Sequence, residues 1–200
     1  MSNALTIAKQ QLSHLPAGLI AHLERVSANA DRLARRWHVD PEPAALAGYL
    51  HDIARAQSPD LLLTQARELG LPVNPVEESL PILLHGPVAA AVIHKELATT
   101  DESIEAAVCW HSTGRWGMTD LEKVVFIADK IDPDKLERTS YMQDVARLAE
   151  EDLNASIVTY IEGLTQQLLQ RGGLIHPATV EARNWIILEM SKNKTATMAK

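Results

Sequence analysis

The chain has 200 residues, 46% of them hydrophobic, which is material for about one packed domain with a real core. Nineteen basic against 26 acidic side chains leave a formal charge of −7, which excludes binding to nucleic acid or an acidic membrane through bulk charge. Cys109 is the single cysteine, so an intramolecular disulfide and a cysteine-type zinc site are excluded too. The start MSNALTIAKQQLSHL lacks the basic run and long apolar core of a signal peptide. The densest apolar stretches, 87–93 and 124–128, fall far short of the about 20 residues that a membrane span needs. The expectation is a soluble cytoplasmic protein with neither nucleic-acid nor membrane partners.

In chain order the periodicity is helical. Leu19, Leu23, Val26, Ala30, Leu33 and Trp37 fall on one helix face. After Pro41 and Pro43, a helix over 44–55 carries Leu46, Leu50 and Ile53. Ser58-Pro59 supplies a cap and a first-position proline for a helix to about Leu69, which Gly70 and Pro72 end. A proline-interrupted segment covers 72–81, and Gly86-Pro87 opens a helix to about Leu97. Further helices are predicted over 101–111, 119–131 and 140–170, the last stopped by Gly172-Gly173. Pro177 begins a final helix through Trp185, Ile186 and Met190, before a polar tail, 191–200, expected to fray. No sustained period-two run or Asn-Gly hairpin turn marks a strand. The reading is all-α.

Among the eight histidines, His14, His38 and His94 read as surface residues. His22 leans toward the buried face, with Leu19 and Val26 at i−3 and i+4. His51-Asp52 interrupts an apolar helix, His111 ends another, and Asp129 follows Val-Val-Phe-Ile-Ala. A buried ionised aspartate needs a partner, and Asp129 alone could cap a helix or pair with Lys123 or Lys130. Taken together, imidazole and carboxylate suit zinc, manganese, iron or cobalt. Helix bundles build such sites from side chains on facing helices.

The order His22, His51-Asp52, His85, His111, Asp129 resembles the H…HD…H…H…D signature of the HD-domain metal-dependent phosphohydrolases. The strings LAGYLHDIAR (46–55), LLHGPVAA (83–90), HSTGRWGM (111–118), FIADKIDP (126–133) and GGLIHPATVEARN (172–184) are similar to the YqeK branch, small bacterial proteins resembling symmetrical diadenosine tetraphosphate hydrolases. The resemblance runs over roughly 15–190, the core of a single HD-domain helical bundle that takes in the whole chain, 1–200.

The resemblance implies two divalent metal ions, iron by expectation, with manganese or cobalt able to substitute. His22, His51, Asp52 and Asp129 would hold the first ion, and Asp52 would bridge to a second held by His85 and His111. It further implies hydrolysis of diadenosine tetraphosphate to two ADP by a metal-activated water, with Asp52 and Arg115 catalytic and with Arg55, Arg115 and Lys135 neutralising phosphate. The alternative for these three cations is ordinary surface charge, or pairing with acids such as Glu24 and Asp134. The chain departs from the family pattern at Arg55, where lysine is usual, and after IDP, where it reads IDPDKLERTSYM.

Thr113 and Gly114 are read as shaping the turn that carries Arg115, and His176 before Pro177 as structural. Trp110 and Trp116 are read as packing rather than base-stacking. Competing readings are a phosphohydrolase of another nucleotide, a di-iron oxygenase and a nucleotide-binding module without catalysis. Apolar residues in the C-terminal helices leave room for a homodimer.

Overall fold

A computed structural model of the protein describes residues 3–96, 101–136 and 141–198. These form α1 (Asn3–Gln11), α2 (Ala17–Arg36), α3 (Pro41–Leu50), α4 (Pro59–Glu68) and α5 (Pro75–Ser79). A 3-10 turn (Pro81–Leu84) leads into α6 (His85–Glu96), followed by α7 (Glu102–Trp110), α8 (Asp120–Lys130) and α9 (Pro133–Leu136). The chain ends with α10 (Tyr141–Glu151), α11 (Leu153–Gln170) and α12 (Pro177–Met198). No strand occurs among the described residues, and no helix there is long and apolar enough to cross a membrane. The all-α expectation is met.

The centre of the bundle is α8, whose residues from Leu121 to Lys130 are all buried. Thr119 caps it, its side chain accepting from the Glu122 N–H at 3.2 Å. Around it pack α2, α3, α7 and α11, with α6 on α7 and α12 on α11. The predicted stripe of α2 buries Leu23, Val26, Ala30 and Leu33 completely. Two close approaches set the geometry. A Cβ at Gly48 would lie 3.0 Å from Ala30 Cβ and from the Val26 carbonyl, so α3 can press onto α2. One at Gly86 would lie 2.6 Å from the Cys109 carbonyl, so the start of α6 presses onto the end of α7.

Several boundaries differ from the sequence reading. The helix expected over 44–55 ends at Leu50, and 51–56 is a run of turns. The helix expected over 140–170 is two, because Asp152 caps α11 by accepting from Ala155 N–H at 3.0 Å. Aspartate is a better cap than helix interior. Short α5 lies inside the proline-interrupted segment, made by a capping box in which Asn74 and Glu77 satisfy each other's backbone N–H groups. Residues 3–11, read without structure, form a helix that buries only Leu5 and Ala8. The tail does not fray at 191: α12 continues to Met198, with no glycine or proline to stop it. Leu97 and Ser140, the expected limits of two helices, lie outside the described residues.

Candidate metal centre

Three of the expected ligands share one local design. His51 caps the C-terminus of α3, His85 that of the 3-10 turn, and His111 that of α7. Carbonyls in the last turn of a helix lack intrahelical partners, and each imidazole donates Nδ1–H to the carbonyl three residues back. His51 reaches Gly48 at 2.8 Å, His111 reaches Val108 at 2.7 Å, and His85 bonds Ile82. A carbonyl cannot donate, so Nδ1 carries the proton and the Nε2 lone pair is turned inward. This is how metal-binding histidines are oriented in general. The C-terminal ends of α3 and α7 also bring partial negative charge, which favours a cation.

The inward atoms converge on Asp52, in the turn after His51. Its Oδ1 lies 2.9 Å from His85 Nε2 and 3.4 Å from His111 Nε2. Its Oδ2 lies 3.6 Å from His22 Nε2 and 3.5 Å from His51 Nε2. Asp129 Oδ1 closes the second group at 3.3 Å from His22 and 3.5 Å from His51. All six expected ligands therefore meet in one place, from α2, α6, α8 and the ends of α3 and α7. Two sets, His22–His51–Asp129 and His51–Asp52–His111, have ligand atoms close enough to share an ion.

The donor set fits divalent metal on two observations. Asp52 Oδ1 is buried without a hydrogen bond of acceptable geometry, despite the nearby nitrogens. The Nε2 atoms of His85 and His111 face each other at 3.0 Å. Both bear lone pairs once Nδ1 holds the proton, so a cation between them turns a repulsive contact into a ligand pair.

Charged neighbours hold the His22 side. Asp132, fully buried, accepts from His22 Nδ1 and from Arg25 Nε at 2.8 Å and Nη2 at 3.0 Å. Lys130, also buried, donates to Asp129 Oδ2 at 2.8 Å and to the His111 carbonyl at 3.1 Å. For His22, burial alone would lower the pKa, but hydrogen bonds to Asp129, Asp52 and Asp132 outweigh it and raise it to about 9. Burial pulls His111 down to about 3. Asp52 is held well below the usual carboxylate range: burial opposes this, and the imidazoles of His51, His111, His22 and His85 packed around it overcome it.

The expected phosphate-binding cations fare differently. Arg115 is paired with buried Glu122, through Nε at 2.9 Å and Nη2 at 2.6 Å, and keeps Nη1 outside that pair. Arg55 is exposed beside the Asp52 turn, without an ion pair among the described residues. The side chain of Lys135 lies outside the described residues. The Arg115 turn needs Gly114, which has φ +66 and whose Cβ would meet Ala182 Cβ at 2.9 Å. His38, at φ +57, only terminates α2. His176 accepts from the Ala178 N–H at the start of α12 and sits 3.2 Å from Glu77, a structural role as expected. Trp110 lines a cavity of about 1130 Å³ that none of the six ligands touches, and Trp116 is exposed.

Sequence reasoning missed Asp132, Arg25, Lys130 and Ser112 as parts of the site. Lys130, one of the two lysines that the sequence offers as a pairing partner for Asp129, is that partner. Asp132 lies three residues beyond Asp129, a spacing that places it on the same side of the chain.

Comparison with known proteins agrees with this geometry. The HD domain family model matches residues 19–134. A protein of Bacillus subtilis named symmetrical bis(5'-nucleosyl)-tetraphosphatase is 31% identical over 92% of this chain and 96% of its own length. One of the same name from Halalkalibacterium halodurans is 31% identical over 88% of this chain and 92% of its own. A crystal structure from Clostridium acetobutylicum, of a predicted HD superfamily hydrolase involved in NAD metabolism, superposes with a TM-score of 0.86 at 28% identity, covering 94% of this chain and 99% of that one. The family model spans more than half of the sequence, and its histidines and aspartates meet in one buried, metal-fitting centre: the chain belongs to the HD domain family, whose members bind divalent metal.

Proposed function

We propose that this protein hydrolyses dinucleoside tetraphosphates symmetrically, diadenosine tetraphosphate giving two ADP. The observation that carries the reading is the sharing of Asp52: one oxygen faces His85 and His111, the other faces His22 and His51. A carboxylate so placed would serve two cations at once. The tetraphosphatase names of relatives that match nearly end to end supply the substrate.

His22, His51, Asp52 and Asp129 would hold one ion, and Asp52, His85 and His111 the other, iron by family resemblance with manganese or cobalt as substitutes. When bound, a divalent pair supplies an activated water and neutralises phosphoryl oxygens. The chain's own residues then fix the pose. Lys130 ties up Asp129 Oδ2, leaving Oδ1 to face inward. Asp132 and Arg25 keep the His22 ring in place. Arg55, Lys135 and the free Nη1 of Arg115 are the cations assigned to the outer phosphates. Water oxygen bonds to an inner phosphorus, the central P–O–P bridge breaks, and ADP leaves with the bridging oxygen. We assign the whole chain to one such domain, working in the cytoplasm on a small nucleotide.

The test is product analysis after anaerobic reconstitution with ferrous iron or manganese, with Asp52→Ala beside it. ADP as sole nucleotide product, lost in the variant, is the expected result. AMP plus ATP contradicts symmetrical cleavage; no turnover with ions bound redirects the search to other nucleotides.

A further inference from the structure

The geometry points to Ser112 as a further substrate-contacting residue, whose hydroxyl donates a hydrogen bond to a phosphoryl oxygen beside the His85–His111 half of the centre. It rests on the reading of that centre as a phosphohydrolase site.

Ser112 follows His111 directly, at the end of α7. Its Oγ lies 3.0 Å from His111 Nε2 and 3.2 Å from His85 Nε2, where Asp52 Oδ1 also points. Four polar atoms thus face one small volume. Three of them can only accept: both Nε2 atoms, because Nδ1 holds each ring proton, and an ionised carboxylate oxygen. The fourth carries the one proton available to them. A cation that takes the nitrogen lone pairs removes both acceptors of the hydroxyl. The O–H must then find a new acceptor, and an anionic phosphoryl oxygen drawn to the same cation is the chemistry suited to it.

Most charged donors around the ligands are already engaged, which leaves Arg55 and one nitrogen of Arg115 for the outer phosphates. Arg25 is held by Asp132, Lys130 by Asp129 and the His111 carbonyl, and two nitrogens of Arg115 by Glu122. Ser112 is half-buried, so a bond made there is shielded from water and worth more than one at the surface. Serine also leaves the ligand set complete without itself, since it is a poor ligand unless ionised.

Ser112→Ala and Ser112→Thr test this against wild type, loaded with manganese. The alanine variant is expected to bind manganese with unchanged stoichiometry, to bind ADP about 10- to 100-fold more weakly and to lose a similar factor in kcat/KM on diadenosine tetraphosphate. Threonine, which keeps the hydroxyl, is expected to recover most of both. Wild-type ADP affinity in Ser112→Ala overturns the inference. So does loss of a manganese ion, which would make the serine part of the metal cage, and so does failure of threonine to improve on alanine. A wild-type enzyme inactive on the tetraphosphate sinks the substrate reading instead, while ADP affinity still judges Ser112.

Discussion

The two halves of the centre present the same kind of ligand by different means. On the His22 side the supports are charged: Asp132 and Arg25 steady His22, and Lys130 steadies Asp129. On the His85–His111 side they are neutral: the carbonyls of Ile82 and Val108 fix the rings, and Gly86 lets α6 close on α7. The difference lies in what each half responds to. An ion-supported half answers to charge and protons, whereas a backbone-supported half answers to shape. Asp52 faces both, with one carboxylate oxygen toward each.

The largest effect is therefore expected at Asp52. Asp52→Ala removes the shared ligand, and both ions should bind more weakly in calorimetric titration, with turnover reduced to background. Next comes Gly86→Ala, which affects only the shape-dependent half. Its Cβ would stand 2.6 Å from the Cys109 carbonyl, backbone that cannot yield easily. A stability loss of about 1–3 kcal/mol is expected, read as a lowered melting temperature, with the His85–His111 ion lost and the His22-side ion retained.

Asp132→Asn is the complementary change in the charged half. It keeps the shape and removes the charge behind His22, so one ion should bind about 10- to 100-fold more weakly and the other normally. Arg55→Ala, on exposed charge outside both halves, should raise KM only by about 2- to 5-fold.

Proton linkage separates the halves without mutation. Folded His22 titrates near 9 instead of 6.5, so the folded metal-free protein holds this proton more tightly than the unfolded chain. The resulting stability is complete below pH 6.5 and lost as the pH rises through 9. Ion binding has the opposite sign, because the ion must displace that proton. Affinity on the His22 side should climb about tenfold per pH unit up to about 9. His111, pulled down to about 3 by burial, has no proton to lose in that range. Calorimetric titrations in buffers of different ionisation enthalpy should show a proton released by one ion and not by the other.

The ligands were legible because the chemistry is carried by residue type and order. A buried HD pair at the end of an apolar helix is costly unless something uses it, and His22, His85, His111 and Asp129 complete the series. The supports were not legible, since each depends on packing. Asp132 and Arg25 are distant in sequence and meet only because α2 lies across the end of α8. Lys130 could have been a surface charge, and only the burial of α8 turns it inward. The break at Asp152 was hidden because a capping aspartate in an apolar-periodic stretch looks like an exposed helix position. Arg115 shows the same limit in reverse. Its turn was foreseen, but its bond to Glu122, seven residues on, depends on the close packing that Gly114 allows.

The most direct test of a centre shared through Asp52 is anomalous diffraction from crystals grown with manganese. The expectation is two peaks on either side of the Asp52 carboxylate, one among His22, His51 and Asp129, the other between His85 and His111. A single peak, or a second one away from His85 and His111, would contradict it.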